Sequence, residues 1–344
     1  MLISRAGMCF PLVLAFVLVP FSASARQDSA ETQSATQTSP GIVDMASMVV
    51  RGAQPGPGLW KVTKGDHVLW ILGTLAPLPD DIEWQPKQVE SVIAQSQQVL
   101  LTPSVKFDVD MGFWGKLTLL PSLMKAKKNE GGADLAQVVP AEAYKRWLVL
   151  KQHYLGNNTS VEKKRPMLAG QELYNEAIKK SGLGNKAVIW PVVSAASKRA
   201  GIEPTSTQLL VQLTDARAAV KQFSRDGMDD RACFASQIDA VEYDLAFMVN
   251  RANAWALGDI GQLTSLPHAD PQVVCMQAFL DSTVIKQRGY GDLYEKLRQH
   301  WMAFADKALD TNSSTFALLP VDELLKPNGY LDRLRAQGYE IEAP

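Results

Sequence analysis

The sequence predicts an α+β fold: a small central sheet formed by N-terminal and C-terminal strands, with a large, mostly helical middle. Three observations lead there. Two alternating apolar segments follow the glycine-rich stretch 52–58, a short apolar run lies near residue 316 close to the chain end, and between them apolar residues recur at helical spacing. No internal repeat is present.

Residues 1–25 place one charge, Arg5, ahead of an apolar stretch at 8–21 and close on Ala23-Ser24-Ala25. Charge, apolar core and small-residue cut is the order of a secretory signal peptide. The apolar stretch is broken by Pro11 and Pro20. It falls short of the roughly 20 residues a membrane-spanning helix needs, and no later segment is apolar enough to span. The expectation is a signal peptide cut after Ala25 and a periplasmic or secreted protein without a transmembrane segment. Cys9 lies inside the apolar core, too early to be an acylated first residue. The polar run 26–40 offers nothing to offset the entropy of ordering itself, so residues 26–57 read as a flexible linker ahead of a single domain over 58–344 with a helical insertion.

In the domain, Leu59-Trp60-Lys61-Val62-Thr63 and Val68-Leu69-Trp70-Ile71-Leu72-Gly73 flank a tight turn at Gly65, which predicts a hairpin. Val89, Val92 and Ile93 share a helical face after Pro86, and Val99-Leu100-Leu101 reads as a buried strand. Helices are expected after Pro140, with Tyr144, Trp147 and Leu148 on one face, after Pro166, with Leu168, Leu173 and Ile178, and through 206–223, 230–256 and 287–309. The chain closes with a strand at 315–319, a short helix at 329–337 capped by Asn328 and ended by Gly338, and a strand at 339–342.

Composition narrows the function. The formal net charge of −1 becomes −2 once Arg5 leaves with the signal peptide. A near-neutral balance without a basic stripe argues against nucleic acid as a partner, and the lysines at 125–128 read as a solvated helix end. Only Cys233 and Cys275 remain after cleavage, an even pair that an oxidising compartment favours as a disulfide. His67, His153, His268 and His300 fall in separate segments with no metal-binding spacing; His67 reads as a turn residue and His300 as a helix-surface or helix-interface residue. Asp108 and Asp110 lack the downstream Gly and Glu of a calcium loop and read as loop carboxylates. No strained nucleophile turn surrounds Ser194, and no glycine-rich phosphate loop occurs. No catalytic residue, metal site or cofactor is assigned.

The order of motifs resembles the TraB/GumN family, which also includes the Tiki proteases and the pheromone-shutdown protein PrgY. The resemblance rests on Leu59-Trp60-Lys61-Val62, the strand ending Leu72-Gly73-Thr74, Val99-Leu100-Leu101, Trp255-x-x-Gly258-Asp259, Arg298, and the closing Phe316-Ala317-Leu318-Leu319, Gly329 and Leu334-Arg335-Ala336-Gln337-Gly338-Tyr339. It spans about 58–342. The resemblance implies two G-x-x-H motifs and a strand-end glutamate as the proposed divalent-metal site of a hydrolase. Here the first motif reads Gly73-Thr74-Leu75-Ala76, the glutamate position is Thr102, and the second motif reads Pro320-Val321-Asp322-Glu323. Ala76 has no donor, Thr102 is neutral, and Glu323 alone supplies one carboxylate where a catalytic site needs about three protein ligands. Pro320 also lacks the N–H and the backbone freedom of the glycine it replaces.

The resemblance therefore implies a family member without the family's chemistry, acting through the old cleft on an envelope or exopolysaccharide ligand or protein, with Thr74, Thr102, Arg298 and Glu323 as candidate contacts. A metal-dependent hydrolase with ligands such as Asp80, Asp81 or Asp108, and a scaffold held by Cys233–Cys275, are the alternatives.

Overall fold

The computed structural model describes residues 52–109, 115, 117–184, 186–213, 215–266 and 270–344. The signal peptide, the linker up to residue 51, Asp110 and His268 lie outside the described residues.

The central sheet has five strands in the order β4-β8-β2-β1-β9. Strand β1 (Leu59–Lys64) and β2 (His67–Thr74) form the expected antiparallel hairpin around Gly65. Strand β8 (Ser314–Pro320) lies parallel to β2 on one side and to β4 (Gln98–Leu100) on the other, and β9 (Glu340–Glu342) pairs antiparallel with β1. Thr315 through Leu319 are all buried, as expected of a strand covered on both faces, so β8 reads as an unbroken apolar run. Strands from both chain ends thus build one α+β sheet, and the chain between β4 and β8 is predominantly helical.

Helices α1 (Lys87–Gln95), α2 (Ala141–Tyr154) and α3 (Pro166–Lys180) occupy their expected places. In α2 the buried stripe is Trp147, Leu150 and Tyr154, and Leu148 is 44% exposed. The inward face is therefore rotated from the expected one. Trp147 packs against Phe234 with ring centroids 5.5 Å apart. Helix α4 (Trp190–Ala200) carries Pro191 in its first turn, where no intrahelical N–H is missed.

The expected helix 206–223 divides: Gln208–Leu213 is strand β7, parallel to β5 (Ser104–Val109), and α5 spans Ala216–Asp226. Gln-Leu-Leu-Val-Gln-Leu fits either period, and pairing with β5 decides it. Asp108 consequently sits on a strand, where it accepts from Gln212 Nε2 at 2.9 Å. Strands β3 (Leu78–Pro79) and β6 (Leu183–Gly184) form a further small pair. The stretch 230–256 is helical, as α6 (Arg231–Asp239) and α7 (Leu245–Leu257) joined through one π turn at Ala240–Asp244. Helix α8 spans Pro271–Leu280, and Cys275 on it is bonded to Cys233 on α6, with Cα atoms 4.5 Å apart. The last long helix, α9, is Leu293–Thr311, later than the expected start at 287, because Gly289 and Gly291 interrupt the pattern.

After β8 come α10 (Val321–Leu325) and α11 (Tyr330–Ala336). Gly329, not Asn328, is the N-cap of α11; Asn328 adopts φ 55° and its N–H is accepted by Asp332 at 2.9 Å. His67 is the first residue of β2, its Nδ1 2.7 Å from the Asn312 carbonyl, and His300 packs edge-to-face on Phe304 at 5.2 Å. From the linker range, residues 52–57 include Gln54, whose N–H donates to Glu83 O at 3.0 Å, and Gly56, whose N–H donates to Ala256 O at 2.8 Å.

Gly329 stands where the backbone doubles back on α10. A Cβ there would lie 2.4 Å from the Glu323 carbonyl and 2.7 Å from that of Lys326, and backbone atoms give way poorly. Gly329→Ala is expected to lower the unfolding free energy by about 1–3 kcal/mol, read as a lower urea midpoint at unchanged slope.

Candidate functional site

Strands β2, β4 and β8 run parallel, so their carboxyl ends share one edge of the sheet. The β2 end pairs Gly73 with Leu319 and Thr74 with Pro320, and the Thr74 hydroxyl donates to Leu319 O at 3.3 Å. Ala76 and Thr102 each lie two residues beyond a strand end, and Glu323 lies in the first turn of α10. Gly73 carries no side chain for a packing reason: a Cβ would lie 2.8 Å from the Trp60 ring and 3.2 Å from Val321 Cγ2.

The strand ends are shared, but the candidate residues divide between two concavities. Thr74, Ala76 and Thr102 line a hollow of about 400 Å³ with Leu318, Lys186 and the 43% exposed Trp190. Arg298, Pro320 and Glu323 line a larger cavity of about 990 Å³. The chain crosses from one to the other at consecutive residues, with Thr102 on the hollow and Pro103 on the cavity.

The cavity has charged groups on an apolar wall supplied mainly by α8 and the start of α9. Glu323 is ion-paired with Lys326, and Asp322 with Arg251. Arg251 is 5% exposed and also donates to Leu263 O at 2.8 Å. Sequence reasoning missed it; the available signal was that Arg251 is the one charged residue in α7. Arg298 approaches Glu295 at 3.6 Å, but Arg333 already engages both Glu295 oxygens, at 2.8 and 2.9 Å. The hydrogen bonds from Arg333 hold the Glu295 carboxyl below its ordinary value. Burial pushes the Tyr294 and Tyr330 phenols up, and the Glu323 charge adds to both shifts. Both phenols stay protonated at neutral pH.

A family model described as TraB/PrgY/gumN matches residues 58–343. The chain belongs to the TraB/PrgY/gumN family. Comparison with curated proteins and with solved structures found no match.

Several TraB/PrgY/gumN-like motifs have a structural office here. Trp255 donates its indole N–H to the Gly73 carbonyl at 2.8 Å, tying α7 to the end of β2. Asp259, after the turn at Gly258, accepts from Gln262 N at 2.8 Å and caps the short helix Ile260–Ser265. The residues that the motif resemblance aligns with a metal site do not fit a divalent cation. Ala76 offers no donor, Thr102 a neutral hydroxyl, and the Glu323 carboxylate is taken by Lys326 in the other concavity. Asp80, Asp81 and Asp108 are exposed, and among the described residues no three His, Cys, Asp or Glu side chains group closely enough to hold a metal.

Proposed function

We propose that this chain is an exported, non-catalytic member of the TraB/PrgY/gumN family with a binding or accessory role in the bacterial cell envelope. The observation that carries the reading is the donor set: Ala76 and Thr102 beside the hollow, and a Glu323 already paired with Lys326. In this reading residues 1–25 are removed, residues 26–57 lead into a single domain over 58–344, with Gln54 and Gly56 at the end of that stretch already hydrogen-bonded to the domain, and the concavities at the sheet's carboxyl edge serve binding. The signal-peptide pattern and the Cys233–Cys275 disulfide support an oxidising compartment outside the cytoplasm. The envelope or exopolysaccharide setting comes from the family resemblance.

Metal analysis of the purified protein, with a peptidase and esterase screen on the same sample, tests the reading. The expected result is substoichiometric metal and no turnover. Stoichiometric metal together with turnover overturns it. N-terminal sequencing of the protein recovered from a periplasmic or culture fraction is expected to begin at Arg26.

A further inference from the structure

We propose that the 990 Å³ cavity binds an amphipathic anion, an acyl-type ligand whose charged head is held by Arg298 and whose apolar body lies along α8. This deepens the binding reading above and rests on it. The size falls in the range of small-molecule pockets, and such sites pair a mostly apolar lining with a few polar groups that fix orientation.

Hydrogen-bond capacity at the wall selects the head group. Each carboxylate there already has a donor: Asp322 has Arg251, Glu323 has Lys326, and Asp270 accepts from Gln272 N at 2.8 Å. Lys326 is matched by the same pair, and Arg251 donates to Asp322 and to Leu263 O, with only its Nε left without an acceptor. Arg298 is the exception, because Glu295 is engaged by Arg333 and stands 3.6 Å away. Its side chain is 18% exposed, its buried Nε has no acceptor, and among the described residues it makes no hydrogen bond. A largely desolvated guanidinium lacking an acceptor favours an oxyanion, which it engages through charge-assisted hydrogen bonds.

The body of the ligand is selected by the wall. Val273 and Met276, one helical turn apart on α8, are 44% and 42% exposed, and both line the cavity with Leu280 and Leu297. An apolar chain lying there would remove that surface from water.

The test is calorimetric titration of the purified protein with dodecanoate, dodecyl phosphate, dodecanol and dodecyltrimethylammonium, each below its micelle concentration. At least one anionic probe is expected to bind about tenfold or more tighter than dodecanol, with the cation weakest. The comparison between the two anions identifies the head. Arg298→Gln should bring the anion's affinity down to that of dodecanol at an unchanged thermal midpoint. Met276→Glu, at an exposed position, should weaken dodecanoate and dodecanol alike. Equal affinity for dodecanol and the anions, no effect of Arg298→Gln, or no binding by any probe overturns the inference. Metal with turnover instead removes the non-catalytic reading, so the two failures are separately visible.

Discussion

Trp255→Ala is expected to lower the unfolding free energy by about 3–5 kcal/mol, the range for removing a fully buried tryptophan. The indole is 1% exposed and meets Trp84 edge-to-face at 6.1 Å. Its N–H also satisfies the Gly73 carbonyl at the end of β2, a buried contact across 182 positions of sequence. Trp255→Phe separates the two contributions. It retains most of the apolar bulk but leaves that carbonyl without its partner, at a cost of about 1–3 kcal/mol. Urea unfolding of the three proteins should rank wild type above Trp255→Phe and Trp255→Phe above Trp255→Ala. A phenylalanine variant as stable as wild type would show that the hydrogen bond to Gly73 contributes nothing net.

Removing the disulfide is the second large effect. Cys233 and Cys275 are 42 positions apart, and the chain-entropy model gives about 4 kcal/mol for a loop of that size. Helix α8 depends on this link more than most elements, because only Pro271 and Leu280 of its residues are buried. Cys233→Ser with Cys275→Ser should lower the unfolding midpoint by an amount matching that of wild type in reductant, and reductant should then have no further effect on the variant. Since α8 supplies Val273 and Met276 to the large cavity, the same change is expected to weaken apolar probes there. A wild-type midpoint insensitive to reductant would contradict this account.

Legibility followed the range of the interactions. The β1–β2 hairpin is local: alternation and a glycine turn are written in sixteen consecutive residues, Leu59 to Thr74. Strand β8 announces itself through an apolar run, Phe316 to Leu319, that is buried on both faces of the sheet. Strand β7 could not be read this way. Its six residues fit a helical stripe equally, and the deciding partner, β5, pairs Ser104 with Gln208. The inward face of α2 was misjudged at Leu148 for the same reason, since which apolar residues face inward depends on where Phe234 stands. At the candidate site, Ala76, Thr102, Pro320 and Glu323 were identified from their places in the motif order. Their division between two concavities depends on how loops pack beyond the strand ends. The ion pair of Arg251 with Asp322 links residues 71 apart, and its one local trace is a single charge within α7, which does not name the partner.

The position of β8 also fixes when this protein can fold. Thr74 meets Leu319, 245 positions later, and β8 is the strand that stands between β2 and β4. A ribosome or translocation pore delivers the amino end first, so β1 and β2 are exposed long before their central partner arrives, and a lone two-stranded hairpin is marginal in water. Over that interval the apolar edge of β2 is open to unwanted pairing. The chain therefore has to be kept unfolded or shielded until nearly its whole length is available, and a product truncated before Ser314 has no native sheet to complete and should be cleared by proteases rather than accumulate.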